Sequence, residues 1–158
     1  MTGELVFLLV ASIGLLMVIL RGLSIKRQFH MPWYCIVLGA DIGGWKKPWF
    51  IKRRGVCGAP DAVFFDPLRF RYIAGEFKSR AFNGRMTIRE KYQLTLYTGL
   101  IQRFWLPQAQ GVIAYGCGRV LKLDYDKTLF KKLMALRGEV KSARKNWRPV
   151  DHRPLYKR

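Results

Sequence analysis

The chain has 158 residues, room for one domain and little more, which excludes two separately folded units of ordinary size. Its 29 Lys and Arg against 10 Asp and Glu give a formal charge of +19, spread through the whole chain rather than gathered in one tail. Such a surface attracts polyanions; nucleic acid and anionic lipid head groups both qualify, and charge alone does not choose between them.

In chain order, the first element is apolar. Leu5 to Leu20 (LVFLLVASIGLLMVIL) contains no charged residue. A helix continuing through Leu23 would reach roughly 28 Å at about 1.5 Å per residue, close to the hydrocarbon thickness of a bilayer. A cleavable signal peptide competes with this reading, but Glu4 precedes the run without a Lys or Arg, and no A-x-A-like site follows. Residues 1–24 therefore read as a transmembrane anchor. Arg21, Lys26 and Arg27 follow directly, and the positive-inside bias puts the rest of the chain in the cytoplasm, as a single-pass protein of the inner membrane. Residues 25–145 make the expected soluble domain, and residues 146–158 (NWRPVDHRPLYKR) a loose basic tail.

The connection LGADIGGWKKPWFIKRRG reads as irregular or short extended structure. Two strands follow, Ala59 to Phe65 and Phe70 to Lys78, joined at Asp66-Pro67-Leu68-Arg69, where Pro67 suits the second turn position. Past Asn83-Gly84, residues 87–105 (TIREKYQLTLYTGLIQRFW) read as a helix. Thr87 and Glu90 have capping-box spacing, Pro107 sets the limit, and Tyr92, Leu96, Leu100 and Phe104 follow one line with Tyr97, Ile101 and Trp105 beside it. Strands at Gln110 to Tyr115 and Val120 to Tyr125 come next, then a basic helix from Lys127 to Lys145 that Asp126 can cap. Cys35, Cys57 and Cys117 form no C-x-x-C pair and read as buried small side chains.

The hairpin carries residues that an apolar sheet normally excludes. If Phe65 pairs with Phe70, Asp61 lies opposite Ala74 and shares a face with Glu76 and Lys78, because side chains alternate with period two; a slip of one residue would send Asp61 to the other face. Two carboxylates in an apolar sheet repel and lose hydration, a cost that a hard divalent ion removes. Magnesium, usually held by one or two carboxylates and several waters, suits such a pair. Lys78 would then stand beside the bound phosphate, positioning the nucleophile and offsetting charge in the transition state. For the triplet alone the plainer reading is a Glu76–Lys78 ion pair on an exposed strand, with Asp61 serving a turn after Pro60. The helix shifts the balance: Gln93 and Tyr97, four residues apart, make a polar notch on one apolar face that can point at the acids.

The ordered motifs G-A-P-D (58–61), G-E-F-K (75–78) and Q-L-T-L-Y (93–97), followed by the strand GVIAY, resemble the RecB-like branch of the PD-(D/E)xK nuclease superfamily, which includes nucleases of CRISPR spacer acquisition. The likeness covers roughly Asp41 to Tyr125. It implies an α/β, restriction-endonuclease-like mixed central sheet flanked by helices, here preceded by one transmembrane helix. It also implies Asp61 and Glu76 as ligands of Mg²⁺ or Mn²⁺ with the Phe77 carbonyl as a further ligand, Lys78 as the catalytic lysine, and Gln93 and Tyr97 supporting the site and contacting the nucleic-acid backbone.

The sequence departs from the family in two places. Relatives often carry a metal-binding His or Glu before the first motif; here His30 is the one histidine in that region and Glu4 lies before the apolar segment. The acquisition nucleases often hold an iron–sulfur cluster on four cysteines, and with three scattered ones no such cluster is expected. Arg80 and Arg85, just past the acid–lysine strand, are the expected DNA contacts. Lys127, Lys131, Lys132, Arg137, Lys141, Arg144 and Lys145 either track phosphates or form a solvated face. Asp41 and Asp66 read as turn residues, Asp124 and Asp126 as a strand end and a cap.

The expected protein is thus a membrane-anchored, cytoplasm-facing, metal-dependent DNA nuclease, acting on single-stranded or incoming DNA, with DNA, membrane lipid and envelope or DNA-transfer proteins as partners. A catalytically inactive nuclease-fold DNA-binding module, or a structural subunit of a DNA-transfer apparatus, is the alternative; a lipid-binding anchor protein is a third reading.

Overall fold

A computed structural model describes residues 2–42 and 47–147. The elements are α1 (Thr2–Leu20), α2 (Leu23–Gln28), β1 (Ile36–Ala40), β2 (Ile51–Arg53), β3 (Val56–Gly58), β4 (Ala62–Asp66), β5 (Arg71–Lys78), α3 (Ile88–Ile101), β6 (Gln110–Tyr115), β7 (Val120–Asp124), α4 (Lys127–Ala135) and α5 (Arg137–Asn146). A five-stranded sheet runs in the order β1-β4-β5-β6-β7, and β2 pairs with β3 in a separate hairpin. Only β5 and β6 are parallel within the larger sheet, joined by the α3 crossover, which makes the fold mixed α/β.

Period two decides which helix covers which face. Ile73 on β5, Phe64 on β4, and Val112 and Ala114 on β6 pack against Ile25 of α2 and Phe29 just past its end. The alternate residues Ala74, Ile113 and Tyr115 pack on the side of α3, with Leu94, Leu100 and Phe130. Strand β6, covered on both faces, is buried at all its positions, which is why QGVIAY carries no charge. Glycine lets both layers approach closely. A Cβ on Gly75 would stand 2.9 Å from the Phe29 ring, and one on Gly111 would stand 2.4 Å from Leu94.

The expected transmembrane helix is corrected. Among the described residues no helix is long and apolar enough to cross a membrane. The expected continuation through Leu23 is cut at Gly22, which adopts φ 72° between α1 and α2. The apolar run Leu5–Leu20 then rises only about 24 Å, short of the roughly 30 Å hydrocarbon core. The single-pass, inner-membrane, cytoplasm-facing placement falls with it. Lys26, expected to flank a membrane, is instead buried, donating from Nζ to the Ile19 carbonyl and, at 2.8 Å, to the Trp33 carbonyl. Burial pushes its pKa down.

Other expectations shift in position. The connection at residues 38–55 includes the end of the edge strand β1 and the strand β2 with its turn toward β3; its residues 43–46 lie outside the described ones, as do residues 148–158 of the expected tail. The β4–β5 register pairs Phe65 with Tyr72, not Phe70. Phe70 sits in the turn at φ 53°, and its ring meets Phe65 edge-on with centroids 5.4 Å apart. Asp66 closes that turn by accepting from the amides of Leu68 and Arg69, both at 3.1 Å. Helix α3 stops at Ile101, leaving Phe104 93% and Trp105 64% exposed. The basic helix breaks at Leu136 into α4 and α5. Cys35 is buried as expected, but Cys57 and Cys117 are exposed.

Candidate functional site

Asp61 follows Pro60 at the mouth of β4, where the β4–β5 register pairs Ala62 with Gly75. One further step along that register sets Asp61 across from Glu76. The register differs from the expected one by two residues, an even number, so Asp61 stays on the face shared by Glu76 and Lys78. Its Oδ2 accepts a 2.7 Å hydrogen bond from the Phe77 amide. A strand residue's N–H and C=O point toward the same neighbouring strand, so the Phe77 carbonyl faces the Asp61 side, beyond the last β4 partner. The next carbonyl, that of Lys78, turns the other way and accepts from the Gly116 amide at 2.8 Å.

Glu76 is 6% exposed. Its Oε1 accepts from Lys78 Nζ at 2.8 Å and from Gln93 Nε2 at 2.7 Å, while its Oε2 is buried without a hydrogen-bond partner. Burial, aided by the Asp61 charge, raises the Glu76 pKa against the opposing effect of Lys78 and Gln93. Gln93 Oε1 lies 3.4 Å from Lys78 Nζ, and its Nε2 lies 3.3 Å from the Tyr97 hydroxyl, so one amide touches three members of the cluster. Burial also raises the Tyr97 pKa, which keeps the phenol protonated.

Gly58 explains how Tyr97 fits. A Cβ there would stand 2.7 Å from Cε1 of the Tyr97 ring. Gln93 and Tyr97 also line a cleft of about 700 Å³ with Gly58, Arg89 and Tyr92. Asp61 and Glu76 do not line it; Gln93, which does, donates to Glu76. Arg89 belongs to the series 89, 93, 97 along one helix face, and that spacing of four is the signal by which the sequence could have shown it. No comparable signal marks the contact of Gly58 with Tyr97.

Arg80 is turned away. Its guanidinium holds Glu90 through bonds of 2.8 and 2.9 Å and lies 5.2 Å from the Tyr115 ring centroid. Arg85 is exposed on the loop before α3. His30 is exposed at the end of α2, the helix that covers the opposite face of the sheet from the acids. Among the described residues, no group of three or more His, Cys, Asp or Glu side chains converges. A cation between Asp61 and Glu76 would therefore draw its remaining ligands from backbone carbonyl and water, as Mg²⁺ commonly does.

No protein-family model and no curated protein matches the chain. A solved structure described as "Crystal structure of SSO0001" is similar at 18% identity and a TM-score of 0.34, over 86% of this chain and 60% of that one. Neither fold nor function transfers at that level, and the chain spans less than two thirds of that protein.

Proposed function

We propose that the chain is a metal-dependent deoxyribonuclease of the PD-(D/E)xK type, hydrolysing DNA phosphodiester bonds. The observation that carries this reading is the Glu76 carboxylate: nearly buried, raised in pKa, with Oε2 unpartnered and a second carboxylate across the strand pair. A buried polar atom left unpaired is costly unless something binds it. Asp61, Glu76 and the Phe77 carbonyl fit a hard cation such as Mg²⁺ or Mn²⁺. Bound there, the ion supplies positive charge to a phosphodiester's oxygens and acidifies water.

The remaining roles belong to side chains. Lys78, held by Glu76 and Gln93, offers an ammonium to charge developing on the phosphorus-bound oxygens. Gln93 orients both the acid and the amine. Tyr97, protonated and facing the cleft, donates to a phosphate oxygen of the bound strand. The basic surface draws DNA in by its overall charge.

The test is digestion of labelled DNA by purified protein. Cutting is expected with Mg²⁺ or Mn²⁺, none with EDTA, and loss of cutting with retained binding in Asp61→Ala and Lys78→Ala. Cutting indifferent to both substitutions rules out this site, and DNA bound but never cut by the wild type is the result expected of a non-catalytic binding module.

A further inference from the structure

A second cleft, of about 560 Å³, opens beyond the C-terminal end of α3, between the β2–β3 turn and the first turns of α4. Arg53, Arg54, Arg103, Lys127 and Lys131 line it, and no acidic side chain does. Arg53 is fixed by a 2.7 Å bond to the Gln102 carbonyl. The other four are exposed and, among the described residues, enter no ion pair. Asp126 lies near the edge of the cleft, where it acts on Tyr125 together with Arg53 and Arg54, but five cations against one acid still repel one another, an arrangement that an anionic chain relieves.

The cleft also carries an aromatic ring that the fold leaves in water. Phe104, 93% exposed, lines it, and Trp105 stands edge-on to Phe104 with ring centroids 4.7 Å apart. The loop that holds them is pinned. The Gln102 side chain donates to the carbonyls of Arg103 (2.6 Å) and Leu106 (3.3 Å) and accepts from the Ala109 amide (2.6 Å), so the ring is presented in place. Phosphate binding alone needs no aromatic ring. An exposed ring set among cations is what stacks an unpaired base while neighbouring charges hold its phosphates, whereas a duplex keeps its base faces covered.

We propose that this cleft binds single-stranded nucleic acid, with phosphates along Arg54, Arg103, Lys127 and Lys131 and a base stacked on Phe104. Helix α3 joins the two sites: Gln93 at the acid cluster and Gln102 at the cleft lie about 13 Å apart along its axis, a few nucleotides of chain. In that respect the inference rests on the nuclease reading, since it makes the cleft a holding site for strand leading to the acids.

The experiment measures binding of fluorescein-labelled oligo(dT), and of a labelled hairpin duplex, to the full chain in EDTA, where no cutting intrudes. Phe104→Ala is expected to weaken oligo(dT) about tenfold, as loss of one stacked base does, while duplex affinity changes little and Phe104→Trp restores binding. The triple substitution Arg103→Ala, Lys127→Ala, Lys131→Ala is expected to weaken both and lower the salt slope for oligo(dT) by about 2. These side chains are exposed, and unchanged melting curves verify the fold. Oligo(dT) affinity unmoved by either change, or equal loss for duplex and single strand in Phe104→Ala, overturns the proposal. Binding through Phe104 by a protein that cuts nothing with Mg²⁺ or Mn²⁺ leaves the cleft standing and ends the nuclease reading. Asp61-dependent cutting with binding indifferent to Phe104 does the reverse.

Discussion

The Phe77 amide donates a 2.7 Å hydrogen bond to Asp61 Oδ2, which ties the mouth of β4 to the middle of the Glu76-Phe77-Lys78 stretch. That bond holds one carboxylate beside the other and aims the Phe77 carbonyl at the same edge. In the proposed site, Asp61, Glu76 and the Phe77 carbonyl would offer their oxygens to a cation from strands already held together by that bond.

Mg²⁺ or Mn²⁺ is accordingly expected to stabilise the fold. At a hundredfold excess over its dissociation constant, a bound ion adds about 2.7 kcal/mol, a rise of several degrees in melting temperature for a chain of this size. Scanning calorimetry with and without the ion checks this, with Asp61→Asn and Glu76→Gln expected to remove the gain. An equal gain in both variants would place the ion elsewhere.

Glu76 gives a pH signature in EDTA. Burial raises its pKa above the ordinary 4.5, so the neutral form is favoured in the folded protein. Its contribution is fully present below the unfolded-state pKa and is lost as pH rises through the higher folded-state value. Glu76→Gln escapes that loss. The melting temperature of the variant minus that of the wild type should grow as pH rises across this window; a flat difference would contradict it.

Glu90 behaves in the opposite sense. Burial pushes its pKa up, but hydrogen bonds from the Thr87 amide and hydroxyl and the Arg80 guanidinium outweigh that and hold it below the ordinary value. Its contribution is present above the unfolded-state pKa and is lost as pH falls through the lower folded-state one. Thr87→Ala should cost about 1 kcal/mol at neutral pH by removing the cap. Arg80→Ala, which takes a partly exposed guanidinium from the buried Glu90 carboxylate, should cost about 1 kcal/mol as well. Urea midpoints at several pH values test both, and the Arg80→Ala penalty should shrink in acid.

Gly99 makes the α3–α4 contact possible. A Cβ there would stand 2.1 Å from the Phe130 ring, so Gly99→Ala must push α4 away or strain the ring. We expect a loss of about 2 kcal/mol, largely recovered in the double variant Gly99→Ala, Phe130→Ala relative to the sum of the single changes. Additive losses would show that the two residues do not share one space.

Local signals in the sequence were read directly into structure. Thr87 and Glu90 close their capping box across three residues, and Asp126 caps α4 through the Leu129 amide at 2.9 Å. Such bonds need only near neighbours. The sharing of one face by Asp61, Glu76 and Lys78 was legible for a similar reason: period two survives the even shift in register that the Phe70 turn imposes. The end of α1 at Gly22 was not legible, because a single left-handed glycine decides it and an apolar run does not display which φ its glycine will take.

By itself the sequence determined the strands β4 to β7, the helix α3 with its cap, and the common face of Asp61, Glu76 and Lys78, because these follow from spacing along the chain; the short α2, the edge strand β1, the β2–β3 hairpin and the break at Leu136 did not show in it. Only the tertiary structure decided that Tyr97 lies over Gly58, that Glu76 keeps one oxygen unpartnered, that Arg80 is taken up by Glu90, and that Phe104 stands in water beside a ring of cations. Those contacts join residues far apart in the chain, and packing, rather than periodicity, selects which of the many possible pairs meet.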